Sequence, residues 1–414
     1  MTIQRTDLAS GLTVVTETMV GSRSASFGCW VRVGARDEPA ELAGASHFLE
    51  HLLFKGTSTR SGRELSETVE AVGGELNAHT AHEHTAFYAR VPAPAAAVGL
   101  ELLVDVVTDP AFTADDVESE RQVILEELHL AVDEGEDRVV SLAHEALWGD
   151  HPLGREVLGS LDTIASMTWE DIRGFFDHHY HPENLVLVAA GAVDHDEVVR
   201  AAHRWGAQVP GPRPVRTAPA GEVPVRRRAL LRRPAELAHL CLAWEGAGAE
   251  DADRYAVAVA NQIYGGGLSS RLFQEIRERR GLAYSVYSSM ATFSDTGSVA
   301  AYVATSPERS AEVRDLLLGI AADLASDGVT DREWEVARGY LEGSLLLGLD
   351  ESSSVMARLG NHVCARDRVT PIEEQVARLR AVTPSDVAAA AARVLAADPV
   401  RCGVGPLAEA DLGD

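Results

Sequence analysis

A chain of 414 residues, 46% hydrophobic and 24% charged, is too long for one core and ordinary enough to be globular, so two domains are expected. Its formal net charge of −26 argues against nucleic acid as a partner, because phosphate contacts need clustered Lys and Arg. The longest apolar stretch, residues 185–193, is too short to span a bilayer, and MTIQRTDLASGL has no apolar run after its arginine, so no membrane partner and a cytoplasmic location are expected.

In chain order, LTVVTETM (12–19) and ASFGCWVRV (25–33) read as strands. GASHFLEHLLFKG (44–56) follows. If it is helical, His47 and His51 stand at i and i+4 on one face, close enough to bind one ion through neutral imidazoles, with Glu50 beside them. A metal-activated water needs three protein ligands, an open position and a nearby carboxylate to take its proton, and Glu50 has the place for that base. The segment GGELNAHTAHEHTAFYARV (73–91) ends in a strand; its His82 and His84 would share a strand face, but no acidic or cysteine partner at a familiar spacing completes a second metal site there with His79. The 3.6-period helix 115–132 offers Glu118, Glu120, Glu126 and Glu127 as third ligand. Glu120 and Glu127, seven residues apart, lie two turns apart on one face, so one can ligate while the other supports it. MTWEDIRGFFDHHYHPENLVLVAAG (167–191) reads as a helix capped by Thr168, with His178, His179 and His181 at its end in capping or solvated roles, and then an apolar strand.

Residues 206–234 concentrate proline, glycine and arginine and lose apolar periodicity, as a connection between domains should. The expected division is a metal-bearing domain at 1–210, a linker at 211–234 and a metal-free domain at 235–414. Residues 1–210 carry 14 basic and 35 acidic side chains against 23 and 28 in the remainder, a charge that solubilises the surface or draws basic peptides. After the linker, LAHLCLAWE (237–245) and SVAAYVAT (298–305) read as strands and 331–347 as a helix. VTPSDVAAAAARVLAADPVRCGVGP (382–406) repeats the capped helix and strand of 167–191 around Thr383. FTADDVESERQVILEEL likewise matches VTDREWEVARGYLEGSL. Aligning Gly56 with Gly265 carries His47, Glu50 and His51 onto Ala256, Val259 and Ala260, so the chain reads as two copies of one fold with one copy armed. Hairpin strands mixed with helices indicate an α/β (α+β) fold in which each domain is a mostly antiparallel sheet packed against helices. Nucleotide-binding glycine motifs are absent, and Cys29, Cys241, Cys364 and Cys402, with no CxxC pair among them, suit reduced thiols.

The order HxxEH is the inverse of HExxH and is the inverzincin signature. GASHFLEHLLFKGT with ERQVILEEL resembles the pitrilysin and mitochondrial-processing-peptidase family in its short bacterial two-domain form, and the likeness covers nearly the whole chain. The resemblance implies a zinc peptidase with one ion per chain. Its ligands would be His47, His51 and a glutamate about 76 positions beyond the second histidine, which selects Glu127; Glu120 would support the site. Glu50 would be the base. Residues 73–91 resemble the edge strand to which a substrate peptide adds as a further strand, with Asn77 and Ala78 at the contact. YGGGLSSRLFQEIRERRGLAYSVYSS (264–289) resembles the substrate-binding element, in which Arg277 and Tyr284 would contact the substrate carbonyl or the oxyanion. Gly265, Gly266 and Gly267 match either the glycine-rich loop of a processing-peptidase subunit or a plain helix end and turn. The family further implies a homodimer closing around a chamber that admits peptides or unfolded polypeptide. A non-catalytic scaffold or partner subunit of the same family is the alternative, and scaffolds typically lose part of the ligand set that is complete here.

Overall fold

The computed structural model describes residues 2–205, 213–216 and 227–413, which gather into two compact units. The first comprises Met1–Leu128, Glu156–Arg216 and Leu346–Val369; the second comprises His129–Arg155, Thr217–Leu345 and Thr370–Asp414. The 206–234 connection lies mostly outside the described residues. Its end does not behave as a linker: Arg228–Arg232 is a strand, because Ala229 to Leu231 give it apolar side chains to lay on the second sheet.

The first unit is built on β1 (Thr2–Asp7), β2 (Thr13–Thr18), β3 (Ser24–Val31), β4 (Glu75–Thr80), β5 (Thr85–Pro92) and β6 (Leu185–Gly191), ordered β1-β2-β6-β3-β5-β4. Only the β2–β6 pair is parallel. The apolar strand LVLVAAG is buried at every position because both faces of the sheet are covered. Leu185, Leu187 and Ala189 face a core containing Phe27, Phe48, Leu52 and Ile172, while Val186, Val188 and Ala190 face Val15 and Trp30 on the other side.

That other side is closed by a helix from far along the chain, Ser352–Arg366, whose Val355, Met356, Leu359 and Val363 complete the cluster. Polar contacts fix it there. The Trp30 indole donates to Asn361 Oδ1 at 3.0 Å, and Arg358 meets the buried Glu17 at 2.6 Å. Gly360 is required for the approach, since a Cβ there would lie 2.4 Å from the Trp30 ring.

The second unit repeats the plan with β7 (Arg228–Arg232), β8 (Ala238–Glu245), β9 (Ala283–Thr292), β10 (Gly297–Thr305) and β11 (Val400–Gly405), ordered β7-β11-β8-β10-β9. This is the first sheet without β1, down to the single parallel pair, here β7–β11. The capping reproduces as well. Thr113 with Asp116 and Thr330 with Glu333 cap the two long helices, and Thr168 with Asp171 and Thr383 with Asp386 cap the two helices that lead into β6 and β11. The outer face of the second sheet is covered by Gly135–Trp148, whose Val139, Ala143, Leu147 and Trp148 pack on Cys241, Ala243, Tyr302 and Cys402. Each sheet is therefore closed by a helix encoded in the other half of the sequence, and the duplication inferred from sequence is a duplication of topology. All four cysteines are free.

Candidate metal centre

His47, Glu50 and His51 lie on the helix Ala45–Leu52, shorter than the 44–56 run because Leu53–Lys55 tightens to a 3-10 turn. Its first residue follows Gly44, held at φ +96°, where a Cβ would also meet the Leu158 carbonyl oxygen at 2.8 Å. Glycine has no side chain with which to cap. The buried carboxylate of Glu38 does so instead, accepting from the Gly44 and Ser46 amides at 2.7 Å each and placing negative charge at the positive end of the helix.

One turn apart, the imidazoles of His47 and His51 stand with ring centroids 4.7 Å apart. Glu127, on the helix Ala114–Asp133, brings its Oε2 to 3.6 Å from Nε2 of both histidines. The three donor atoms lie within 4.8 Å of one another, and no other such group of three occurs among the described residues. A tetrahedral zinc with bonds of about 2.1 Å sets its ligand atoms about 3.4 Å apart. The 3.6 Å gaps match that spacing and exceed hydrogen-bond length, so the donor set fits zinc.

The surroundings prepare the donors. Burial, reinforced by His51, lowers the His47 pKa to about 3, so the imidazole is neutral, the form that ligates. His51 Nδ1 pairs with Glu120 Oε2 at 3.0 Å, which leaves Nε2 toward the centre, and Lys55 forms an ion pair with the other Glu120 oxygen. Glu50, near enough to His51 and Glu127 to feel their charges, turns one oxygen to the sheet: its Oε2 accepts from the Thr80 hydroxyl at 2.6 Å. Burial raises the Glu50 pKa, with the Thr80 hydrogen bond and His51 opposing.

Thr80 ends β4, the edge strand of the first sheet, so one hydroxyl ties the candidate base to that edge. On the same strand Ala78 is buried in the core, while exposed Asn77 accepts the Ala78 amide through its own side chain at 2.8 Å. His82 and His84 do not share a strand face; residues 81–84 form the turn between β4 and β5. His79 packs its ring 5.5 Å from His84 and 6.1 Å from Tyr88. In the last turn of Trp169–His179, His179 lies 4.4 Å from the Phe175 ring, and burial lowers its pKa to about 4.

Within the second unit, Arg277 and Tyr284 come together. The Arg277 guanidinium sits 4.5 Å over the Tyr284 ring and 4.8 Å over Phe273, a cation–π sandwich. Arg277 belongs to a π-helix, Phe273–Arg279, a rare form that often accompanies functional sites. Tyr284, 82% exposed, stands on the edge strand β9. Gly265 ends the helix Arg254–Tyr264 with its carbonyl on the Ser288 amide, and Gly266 lies against Gln262, as a turn requires. At the positions corresponding to His47, Glu50 and His51, Ala256, Val259 and Ala260 are buried in the apolar core.

Glu38, Lys55 and Thr80 were not singled out by sequence. Lys55 carried a signal, standing one turn beyond His51; Glu38 and Thr80 reach the site only through folding.

A helical His-x-x-Glu-His completed by a glutamate from a distant helix, in a chain of two like sheets, defines the inverted-motif class of zinc peptidases. The family model described as "Insulinase (Peptidase family M16)" matches residues 13–161, and that described as "Peptidase M16 inactive domain" matches 166–341. An uncharacterized zinc protease of Mycobacterium tuberculosis is 45% identical over 95% of this chain and 90% of its own. Another from Streptomyces coelicolor is 42% identical over 98% and 90%, and one from Bacillus subtilis 33% over 92% of each. Among solved structures, a peptidase M16 inactive domain from Pseudomonas fluorescens superposes with TM-score 0.89 at 21% identity, covering 98% of both chains. A protease from Helicobacter pylori gives 0.89 at 20% identity over 97% and 98%, and a chain of complex III2 from Candida albicans 0.85 at 20% over 100% and 98%. These likenesses show the shared fold. The chain belongs to peptidase family M16, as the motifs implied, and its curated relatives are named zinc proteases. No helix among the described residues is long and apolar enough to cross a membrane.

Proposed function

We propose that this chain is a zinc-dependent endopeptidase that hydrolyses peptides or unfolded polypeptide segments, with one ion held by His47, His51 and Glu127. The observation that carries this is the convergence of both imidazoles on Glu127 while Glu50 stands beside them, tied to Thr80. When bound, zinc supplies Lewis acidity and brings the pKa of a ligated water to about 7. Glu50 takes the proton of the attacking water and returns it to the leaving amine; its raised pKa makes it a better proton carrier near neutrality than an ordinary carboxylate. Thr80 aims that carboxylate, and Glu120 with Lys55 holds His51 by its second nitrogen.

The free edge of β4 offers backbone groups to an extended substrate, with Asn77 and Ala78 along the contact, so binding reads backbone more than side chains. Arg277 and Tyr284 hold the substrate carbonyl, and the exposed Tyr284 hydroxyl stabilises the oxyanion. The chain works as a cytoplasmic homodimer around a chamber, and the acidity of residues 1–210 favours basic peptides. A second reading, a non-catalytic partner subunit, draws on the likeness to a chain of complex III2; the complete donor set weighs against it.

The test is digestion of a mixed peptide library by the wild type and by Glu50→Gln, with cleavage sites mapped by mass spectrometry. Internal cleavage by the wild type and none by the variant is expected, with about one zinc per chain in both. A variant as fast as the wild type removes Glu50 from the mechanism, and stoichiometric zinc in His51→Ala removes the ligand assignment.

A further inference from the structure

The helices Arg254–Tyr264 and Asp331–Leu347 of the second unit correspond to those that carry the metal donors in the first. The Thr113–Asp116 and Thr330–Glu333 caps set the second correspondence, which places Ala337 where Glu120 stands. Between these helices the metal-free copy keeps a cavity of about 330 Å³, at the small end of ligand pockets. Ile263, Val336 and Ala337 give it apolar walls.

Its polar lining is unevenly satisfied. Glu333 is neutralised by Arg271 at 2.7 Å and by Thr330, so it offers no free charge. Gln262 is 8% exposed, and its amide takes no hydrogen bond among the described residues. Its amide atoms face the cavity, where a ligand with a matching donor and acceptor can take the place of water. At the rim, Arg332 has a side chain 83% exposed, engaged by Glu335 at 3.6 Å, and Ser269 adds an exposed hydroxyl.

We infer that this cavity binds the carboxyl-terminal residue of a short peptide. A peptide amide pairs with Gln262, a branched apolar side chain fills the space against Ile263, Val336 and Ala337, and the terminal carboxylate meets Arg332. The site lies wholly within the metal-free unit and does not depend on the chain being a peptidase.

The test is calorimetric titration of the zinc-loaded full chain with acetyl-alanyl-leucine and with its carboxamide. The free acid should bind about tenfold more tightly than the amide, a preference that Arg332→Ala, a surface change that leaves the core intact, should abolish. Gln262→Leu should weaken both ligands, and Ala337→Phe, which fills the cavity, should eliminate binding. Equal affinity for acid and amide in the wild type, or wild-type binding in both Arg332→Ala and Ala337→Phe, overturns the assignment.

Discussion

Replacing Glu120 with alanine tests how far the proposed metal centre depends on a carboxylate that stands behind one of its three donors. The Glu120 carboxylate is buried, accepts from His51 Nδ1 at 3.0 Å and is held from its other side by Lys55. Without it, His51 can rotate or take the other tautomer, and its Nε2 no longer faces Glu127 by default. Supporting carboxylates of this kind are worth about 10–100-fold in metal affinity, or about 1.4–2.8 kcal/mol. Competition with a chromophoric chelator should show zinc affinity reduced by that factor in Glu120→Ala, and less in Glu120→Gln, which keeps an oxygen acceptor. Thermal unfolding with and without zinc separates this from a fold defect: the metal-free variant should melt near the wild type, while the zinc-induced rise shrinks. Wild-type zinc affinity in Glu120→Ala would refute the reasoning.

Other expectations concern the base and the sheet covers. If Glu50 is the base, as proposed, it works ionised, and activity should fall as pH drops through its raised pKa. Thr80→Val removes a bond to the ionised form and should move the acid limb of kcat/KM to higher pH, whereas an unmoved limb would detach Thr80 from the base. Gly360→Ala forces a methyl toward the Trp30 ring and should lower stability by about 1–3 kcal/mol in chemical denaturation, with an unchanged midpoint counting against the close approach. Arg358→Met leaves Glu17 buried without its partner and should cost about 3–5 kcal/mol; adding Glu17→Leu should recover most of that, and a double variant no better than the single would contradict the pairing.

The local elements and the three clustered donors were legible because their signals are local. His47 and His51 needed only helical spacing, Glu127 needed the family's distance between motifs, and Thr168 and Thr383 announced their helices by their own capping chemistry. The arrangement of the whole was not. An amphipathic helix such as 135–148 or 352–366 has the same pattern whichever sheet it covers, so its destination cannot be read from periodicity. The turn at 81–84 defeated the strand reading of His82 and His84, and the widened helix at Phe273–Arg279 has no composition that distinguishes it from an ordinary one. Glu38 caps the ligand helix from six and eight positions upstream, where the only hint was a glycine standing in a place that usually holds a capping side chain.

The traded covers bear on how the protein can be divided. A fragment stopping near residue 210 would leave Val15, Trp30, Val186 and Val188 bare to water and would carry Gly135–Trp148 as an internal amphipathic segment with no sheet to cover; the complementary fragment would suffer the converse. Neither piece is a self-sufficient folding module, so fragments made separately should aggregate, whereas the same fragments made together should recombine, each capping the other.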